Sequence, residues 1–160
     1  EMNDERRIIS HAKNDESIDC VIGKDGNRYS VTEAYEKNIE WLQIDIGFLT
    51  ECERQTVLKE CRYAVINGSH TVMGEIMGTS SKPIIGIPIY DEHTNQIKWA
   101  EEKHLGVLAG NKKQVINAIK KIKLDYNKYQ ESLGEFSKNF DGNGAENTSK
   151  IVSEVLEKNK

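Results

Sequence analysis

The chain has 160 residues, which fits one domain of ordinary size, and its 37% hydrophobic content is enough for a packed core. Its formal net charge of −4 argues against a protein that mainly coats nucleic acid, since such domains are usually strongly basic. No apolar run reaches the roughly 18 residues that a membrane-spanning helix needs. The three cysteines lack paired spacing, which favours reduced thiols. We therefore expect an acidic cytoplasmic domain that binds no nucleic acid.

Five short apolar runs predict strands. They are rich in Ile and Val and alternate little with charge, which is typical of strands buried on both faces of a parallel sheet. Longer amphipathic stretches between them predict helices, and this alternation indicates an α/β fold. The predicted strands cover residues 18–23, 41–46, 63–67, 84–89 and 106–109.

Three predicted helices begin with a capping pair, in which a polar side chain is followed three residues later by Glu or Gln. The last of them is predicted to be long, and residues 139–144 form a loop before a C-terminal helix. Together the elements predict one three-layer α/β domain with a mainly parallel sheet over residues 1–160. The capping pairs are Ser30 with Glu33, Thr50 with Glu53, and Asn111 with Gln114.

The loop after the third strand combines a glycine with small hydroxyl residues at the start of a helix: Gly68, Ser69, His70 and Thr71. The N–H groups of such a first turn attract anions. Glu75 follows Thr71 by four residues, so it shares that face and is placed to accept hydrogen bonds from a ribose diol. The alternative is a simple Ser cap followed by a solvated Glu.

The loop after the fourth strand carries six polar residues, 91–96, between an apolar strand and a helix. Asn95 and Gln96 offer donors and acceptors that suit sugar hydroxyls. The alternative is a cap on the next helix. Adjacent side chains such as Asp91, Glu92 and His93 rarely converge on one ion, so we expect no metal and no cofactor.

The loop after the second strand, Gly47-Phe48-Leu49, places a flat apolar side chain where it is able to cover a nucleobase. The alternative is that Phe48 and Leu49 belong to the core.

Taken in order, these loops resemble the C-terminal, donor-binding domain of GT-B-type nucleotide-sugar glycosyltransferases. The most similar groups are the UDP-glycosyltransferases and the lipid-linked N-acetylglucosaminyltransferase of peptidoglycan synthesis. The resemblance runs from about residue 18 to 106 and is best from 61 onward. The matching positions are Gly68, Thr71, Glu75, Lys82, Pro83, Ile87, Pro88, Gln96, Ala100 and Gly106.

The resemblance implies a Rossmann-like half of a GT-B fold that binds a UDP-sugar. It implies that Gly68 to Thr71, including Ser69 and His70, hold the diphosphate, and that Glu75 holds the ribose hydroxyls. Asn95 and Gln96 would face the donor sugar, and Phe48 and Leu49 the uracil. One departure is that residues 75–83 are one residue longer than usual in the family.

The family resemblance also implies partners. Residues 1–14 look like the helix after the family's first phosphate loop, so we expect the preceding strand and the acceptor domain to be an excised part or a partner chain. The expected activity is hexosyl transfer from a UDP-sugar to an acceptor hydroxyl. The catalytic residues are unassigned, and a lipid-linked acceptor would add peripheral membrane contact. The alternatives are a nucleotide-sugar hydrolase or epimerase, and a non-catalytic nucleotide-binding or partner-docking module.

Overall fold

The computed structural model describes residues 5–11, 15–140 and 143–158. The chain divides into two compact units, Glu1–Thr56 and Val57–Lys160. The single nucleotide-sugar-binding domain that we expect over residues 1–160 stays a prediction.

The first unit contains a four-stranded mixed sheet in the order β1-β4-β2-β3. Strand β1 runs parallel to β4, whereas β2 is antiparallel to both β4 and β3. A short 3₁₀ helix, Glu16–Ile18, precedes β2, and helix α1, Val31–Glu36, follows β3. The strands are β1 (Arg7–Ser10), β2 (Cys20–Gly23), β3 (Arg28–Tyr29) and β4 (Trp41–Ile46).

The helix expected within residues 1–14 is wrong, because β1 occupies Arg7–Ser10. Ile8 and Ile9 are β-branched, which favours an extended backbone, and Ile8 pairs with Ile44 of β4 in parallel register. The rest of that prediction, at residues 1–4 and 12–14, lies outside the described residues.

The second unit contains a three-stranded parallel sheet in the order β5-β6-β7. Helices alternate with its strands, so the predicted α/β class with a parallel sheet is confirmed. Helix α2, Glu51–Glu60, leads into this unit from the first. The strands are β5 (Ala64–Ile66), β6 (Ile84–Gly86) and β7 (Gly106–Leu108), and the helices are α3 (His70–Met73), α4 (Asp91–Glu102), α5 (Lys112–Leu124), α6 (Tyr126–Ser137) and α7 (Gly144–Lys158).

The core of the second unit forms around β6, whose three residues are all buried. Ile84 of β6, Ile97 of α4 and Leu133 of α6 are each fully buried. Each such side chain contributes roughly 1.5–3 kcal/mol by leaving water, which holds the helices onto the sheet. Helix α7 has no buried residue.

The long helix predicted after Asn111 is two helices, α5 and α6, which meet at Asp125. The loop predicted at 139–144 agrees with the end of α6 at Ser137 and the start of α7 at Gly144, and its residues 141–142 lie outside the described chain. No helix in the described part of the chain is long and apolar enough to cross a bilayer.

The three capping pairs are confirmed as hydrogen bonds. The Ser30 hydroxyl accepts from the Glu33 N–H at 3.1 Å, and the Thr50 hydroxyl accepts from the Glu53 N–H at 3.4 Å. The Glu53 carboxylate accepts from the Thr50 N–H in return, at 2.9 Å. These local bonds explain why the helix starts could be predicted from sequence.

Replacing Asn111 by alanine should destabilise the second unit by about 1 kcal/mol, because Asn111 Oδ1 accepts from the Gln114 N–H at 3.0 Å and caps α5. Native-state hydrogen exchange at the β7 amides measures the change. Asn117→Ala is the control, since Asn117 is exposed within α5 and alanine favours a helix. Equal stability of the two variants would contradict the capping role.

Candidate functional site

The carboxyl ends of β5 and β6 lie side by side in the second unit. Ile66 is in register with Gly86, and the Ile87 N–H donates to the Ile66 carbonyl at 2.7 Å. The two loops that follow these strands therefore leave the same edge of the sheet. Ligands of open α/β sheets bind at that edge.

The first of these loops turns at Gly68, whose φ is +90°. Such a backbone conformation disfavours any residue with a Cβ atom. The Ser69 N–H donates to Asn67 Oδ1 at 3.1 Å, which closes the turn. Ser69 occupies the N-cap position before α3, but within the described residues its hydroxyl makes no capping hydrogen bond. The simple Ser-cap alternative therefore does not account for this hydroxyl.

Helix α4 packs closely against the ends of both strands through Ile97. A Cβ atom at Gly68 would lie 2.6 Å from Ile97 Cδ1, and one at Gly86 would lie 2.4 Å from the same atom. Both glycines thus have a packing role, which is to let α4 approach the sheet edge. This contact holds the Gly68 turn next to helix α4.

The helical segment after Gly68 changes type along its length. It is α-helical over His70–Met73 and continues as a π-helical turn over Gly74–Thr79. A π turn accommodates one extra residue within a helix, and such turns are frequent at functional sites. The π turn overlaps residues 75–83, the stretch that the resemblance led us to expect as one residue longer than usual. Glu75 is half-buried near the start of the π turn, and Thr71 is exposed.

Residues 91–96 do not form a loop, because α4 begins at Asp91. Asp91 and Glu92 lie in its first turn, where carboxylates interact favourably with the helix dipole. Asn95 is exposed and Gln96 is half-buried in the next turn. The six polar residues 91–96 therefore lie on a helix and not in a loop.

A side-chain contact joins the start of α3 to the first turns of α4. Gln96 Nε2 lies 2.9 Å from His70 Nδ1 and donates to Glu92 Oε1, also at 2.9 Å. His70 Nδ1 is 3.7 Å from the same Glu92 oxygen. This cluster was not predictable from the sequence, where only the i, i+4 spacing of Glu92 and Gln96 is visible.

Two polar atoms beside this cluster are buried without a hydrogen-bond partner among the described residues: His93 Nδ1 and Gln96 Oε1. The His93 ring meets the Tyr90 ring edge-on, with centroids 5.2 Å apart. Unpaired buried polar groups are rare in proteins and costly, so they call for an explanation at this position.

The Lys-Pro pair of the resemblance lies just before β6. Burial raises the pKa of the nearby Cys61 thiol, and the positive charge of Lys82 partly opposes that rise. Cys61, Cys20 and Cys52 are free thiols. Among the described residues, no group of three or more His, Cys, Asp or Glu side chains is arranged to hold a metal ion.

The predicted base-binding residues belong to the first unit. Phe48 follows β4 and is 56% exposed, and the Gly47 N–H donates to Asp19 Oδ1 at 2.7 Å. The exposure of Phe48 excludes the alternative in which it is a core residue. Its contact with a base, like that of Leu49, stays a prediction.

Comparison with solved structures finds a likeness to the crystal structure of the glycotransferase of kitacinnamycin. The TM-score is 0.59 at 11% sequence identity, and the match covers 84% of this chain and 34% of that one. The chain thus spans about a third of the length of that protein. No protein-family model matches the sequence, and no curated protein matches it.

A likeness at this identity shows the fold alone. The chain has a mixed α/β, Rossmann-like fold of the kind found in a glycosyltransferase. The fold resemblance inferred from the sequence is confirmed to that extent.

Proposed function

We propose that this chain is the donor-binding part of a glycosyltransferase that transfers a hexose from a UDP-sugar to an acceptor hydroxyl. The observation that carries the proposal is the turn at Gly68, which meets α4 at the carboxyl edge of a parallel sheet. The polar groups of the site come from the Gly68 turn with the start of α3 and from the first turns of α4, which the contact between His70 and Gln96 joins.

The diphosphate is assigned to Gly68–Thr71. The helical run over residues 70–79 begins here, and the first N–H groups of a helix lack intrahelical partners. The Ser69 N–H is already bonded to Asn67, so the N–H groups that follow it, with the hydroxyls of Ser69 and Thr71, are the donors we assign to phosphate. These donors would also stabilise the charge that develops on the UDP leaving group.

The rest of the donor is assigned around this anion site. Glu75 would accept hydrogen bonds from the ribose hydroxyls, and Asn95, which is exposed, would face the sugar. We propose no direct sugar contact for Gln96, because its amide nitrogen contacts Glu92 and His70 and its oxygen is buried. The acceptor and the base that deprotonates it are assigned to another domain or chain, which would bring any membrane contact through a lipid-linked acceptor.

Titration of the ¹⁵N-labelled full chain with UDP tests the proposal. Amide shifts should cluster at residues 68–76 and 91–97. Uridine, which lacks the diphosphate, is the matched control and should shift residues 68–71 much less. Shifts confined to other regions, or equal shifts with uridine and UDP at 68–71, would contradict the assignment.

A further inference from the structure

The hydrogen bonds around Gln96 have a fixed direction. A carboxylate only accepts hydrogen bonds, so the Gln96 atom 2.9 Å from Glu92 Oε1 is the amide nitrogen. The same nitrogen lies 2.9 Å from His70 Nδ1 and donates its second hydrogen there. His70 Nδ1 must then present a lone pair, which places the proton of the neutral ring on Nε2.

Glu92 and Gln96 disfavour the two alternatives, a flipped Gln96 amide and a proton on His70 Nδ1. A flipped Gln96 amide would set its oxygen against the Glu92 carboxylate, two acceptors facing each other. A proton on His70 Nδ1 would face the Gln96 amide hydrogens, two donors facing each other. The Glu92 oxygen is 3.7 Å from Nδ1, beyond hydrogen-bond distance, so it does not replace Gln96 as the partner.

The Gln96 amide is only half satisfied by hydrogen bonds, which is unfavourable for stability and indicates that Gln96 has a role in the candidate site. Gln96 Oε1 is buried and has no partner among the described residues. A side chain selected only for stability would pair both ends of its amide. The amide is held by its nitrogen alone, between a residue of α4 and the residue that begins α3.

We infer that Glu92 and Gln96 are positioning residues that hold His70 as the Nε2–H tautomer, so that His70 donates a hydrogen bond to the bound diphosphate. The His70 side chain is 76% exposed, which leaves Nε2 accessible to a ligand. The identity of the ligand rests on the proposed function. Gln96 then acts on the phosphate through His70, and its effect does not require a sugar on the nucleotide.

The ring tautomer is tested by the ¹⁵N shifts of His70 at about pH 8, where histidine is ordinarily neutral. The parent chain should show an unprotonated Nδ1 and a protonated Nε2. Gln96→Glu replaces the donor by an acceptor of equal size and should put a proton on Nδ1. Glu102→Gln, at the exposed far end of α4, is the control and should leave the spectrum unchanged. An unchanged His70 spectrum in Gln96→Glu would overturn the inference.

The action through His70 is tested by UDP affinity, since UDP carries no sugar for Gln96 to contact. His70→Ala should weaken UDP binding by about tenfold and Gln96→Leu by about fivefold. In the double variant the second change should add almost nothing, because the two residues act in series. Additive losses, or full affinity in Gln96→Leu, would overturn the inference.

The two proposals fail in different ways. If the parent chain binds no UDP, the proposed function and the phosphate role of His70 both fall, while the Gln96→Glu spectrum still decides whether Gln96 sets the ring. If UDP binds but the spectrum is unchanged, the proposed function stands and the positioning role falls.

Discussion

Replacing Gly68 by alanine should destabilise the second unit by about 3 kcal/mol, because two costs combine at this residue. Its φ of +90° is unfavourable for alanine, and the new Cβ would lie 2.6 Å from Cδ1 of Ile97, which is fully buried. Hydrogen exchange at the β6 amides reports the stability of this unit separately from the first.

Gly26→Ala is the matched control for backbone strain. Gly26 has a similar φ of +82°, but a Cβ there would meet no atom within 4 Å. The loss of stability in Gly26→Ala, measured by hydrogen exchange at the β2 amides, should be about 1 kcal/mol. Adding Ile97→Val, which removes Cδ1, should recover part of the Gly68→Ala loss. Equal costs at Gly68 and Gly26 would mean that the close approach of α4 is not what requires Gly68.

Replacing Glu75 by glutamine should weaken UDP binding by about tenfold, and Glu75→Ala should weaken it further. Glutamine keeps the size and one acceptor but loses the charge, and hydrogen bonds to charged groups contribute about 1.5–3 kcal/mol each. Calorimetric titration measures the affinity, and hydrogen exchange in the same variants measures stability.

A second titration with 2′-deoxy-UDP tests whether Glu75 contacts the ribose. If Glu75 binds the ribose diol, the loss on Glu75→Gln should be smaller for 2′-deoxy-UDP than for UDP, since one partner is already absent. Glu102→Gln is the control for charge and should change neither affinity. Equal losses for both nucleotides would contradict the ribose assignment, and lost stability with intact affinity would make Glu75 a structural residue.

Local signals made part of the fold predictable. Five of the strands were visible as short runs rich in Ile and Val, and three helix starts as capping pairs whose partners are three residues apart. Strand β1 was missed because only two apolar residues, Ile8 and Ile9, stand between two arginines and Ser10, and because its pairing with β4 is a long-range contact. The break between α5 and α6 was missed because neither glycine nor proline marks Asp125.

The site was predictable only where its features are local. The turn at Gly68 follows from a glycine after an apolar strand, whereas the start of α4 was placed late because Tyr90 at its N-cap is not a capping residue type. The bond between His70 and Gln96 joins residues 26 apart, so no spacing rule reveals it. The π turn over Gly74–Thr79 was not predicted, because no proline or other local signal marks it in the sequence.

The central claim is that a nucleoside diphosphate binds at the Gly68 turn, and a crystal structure of the full chain grown with UDP tests it most directly. The account predicts the diphosphate within hydrogen-bond distance of the backbone at Gly68–Thr71, with His70 Nε2 on a phosphate oxygen and the ribose beside Glu75. UDP bound at another surface, or crystals grown at saturating UDP with this turn empty, would contradict it.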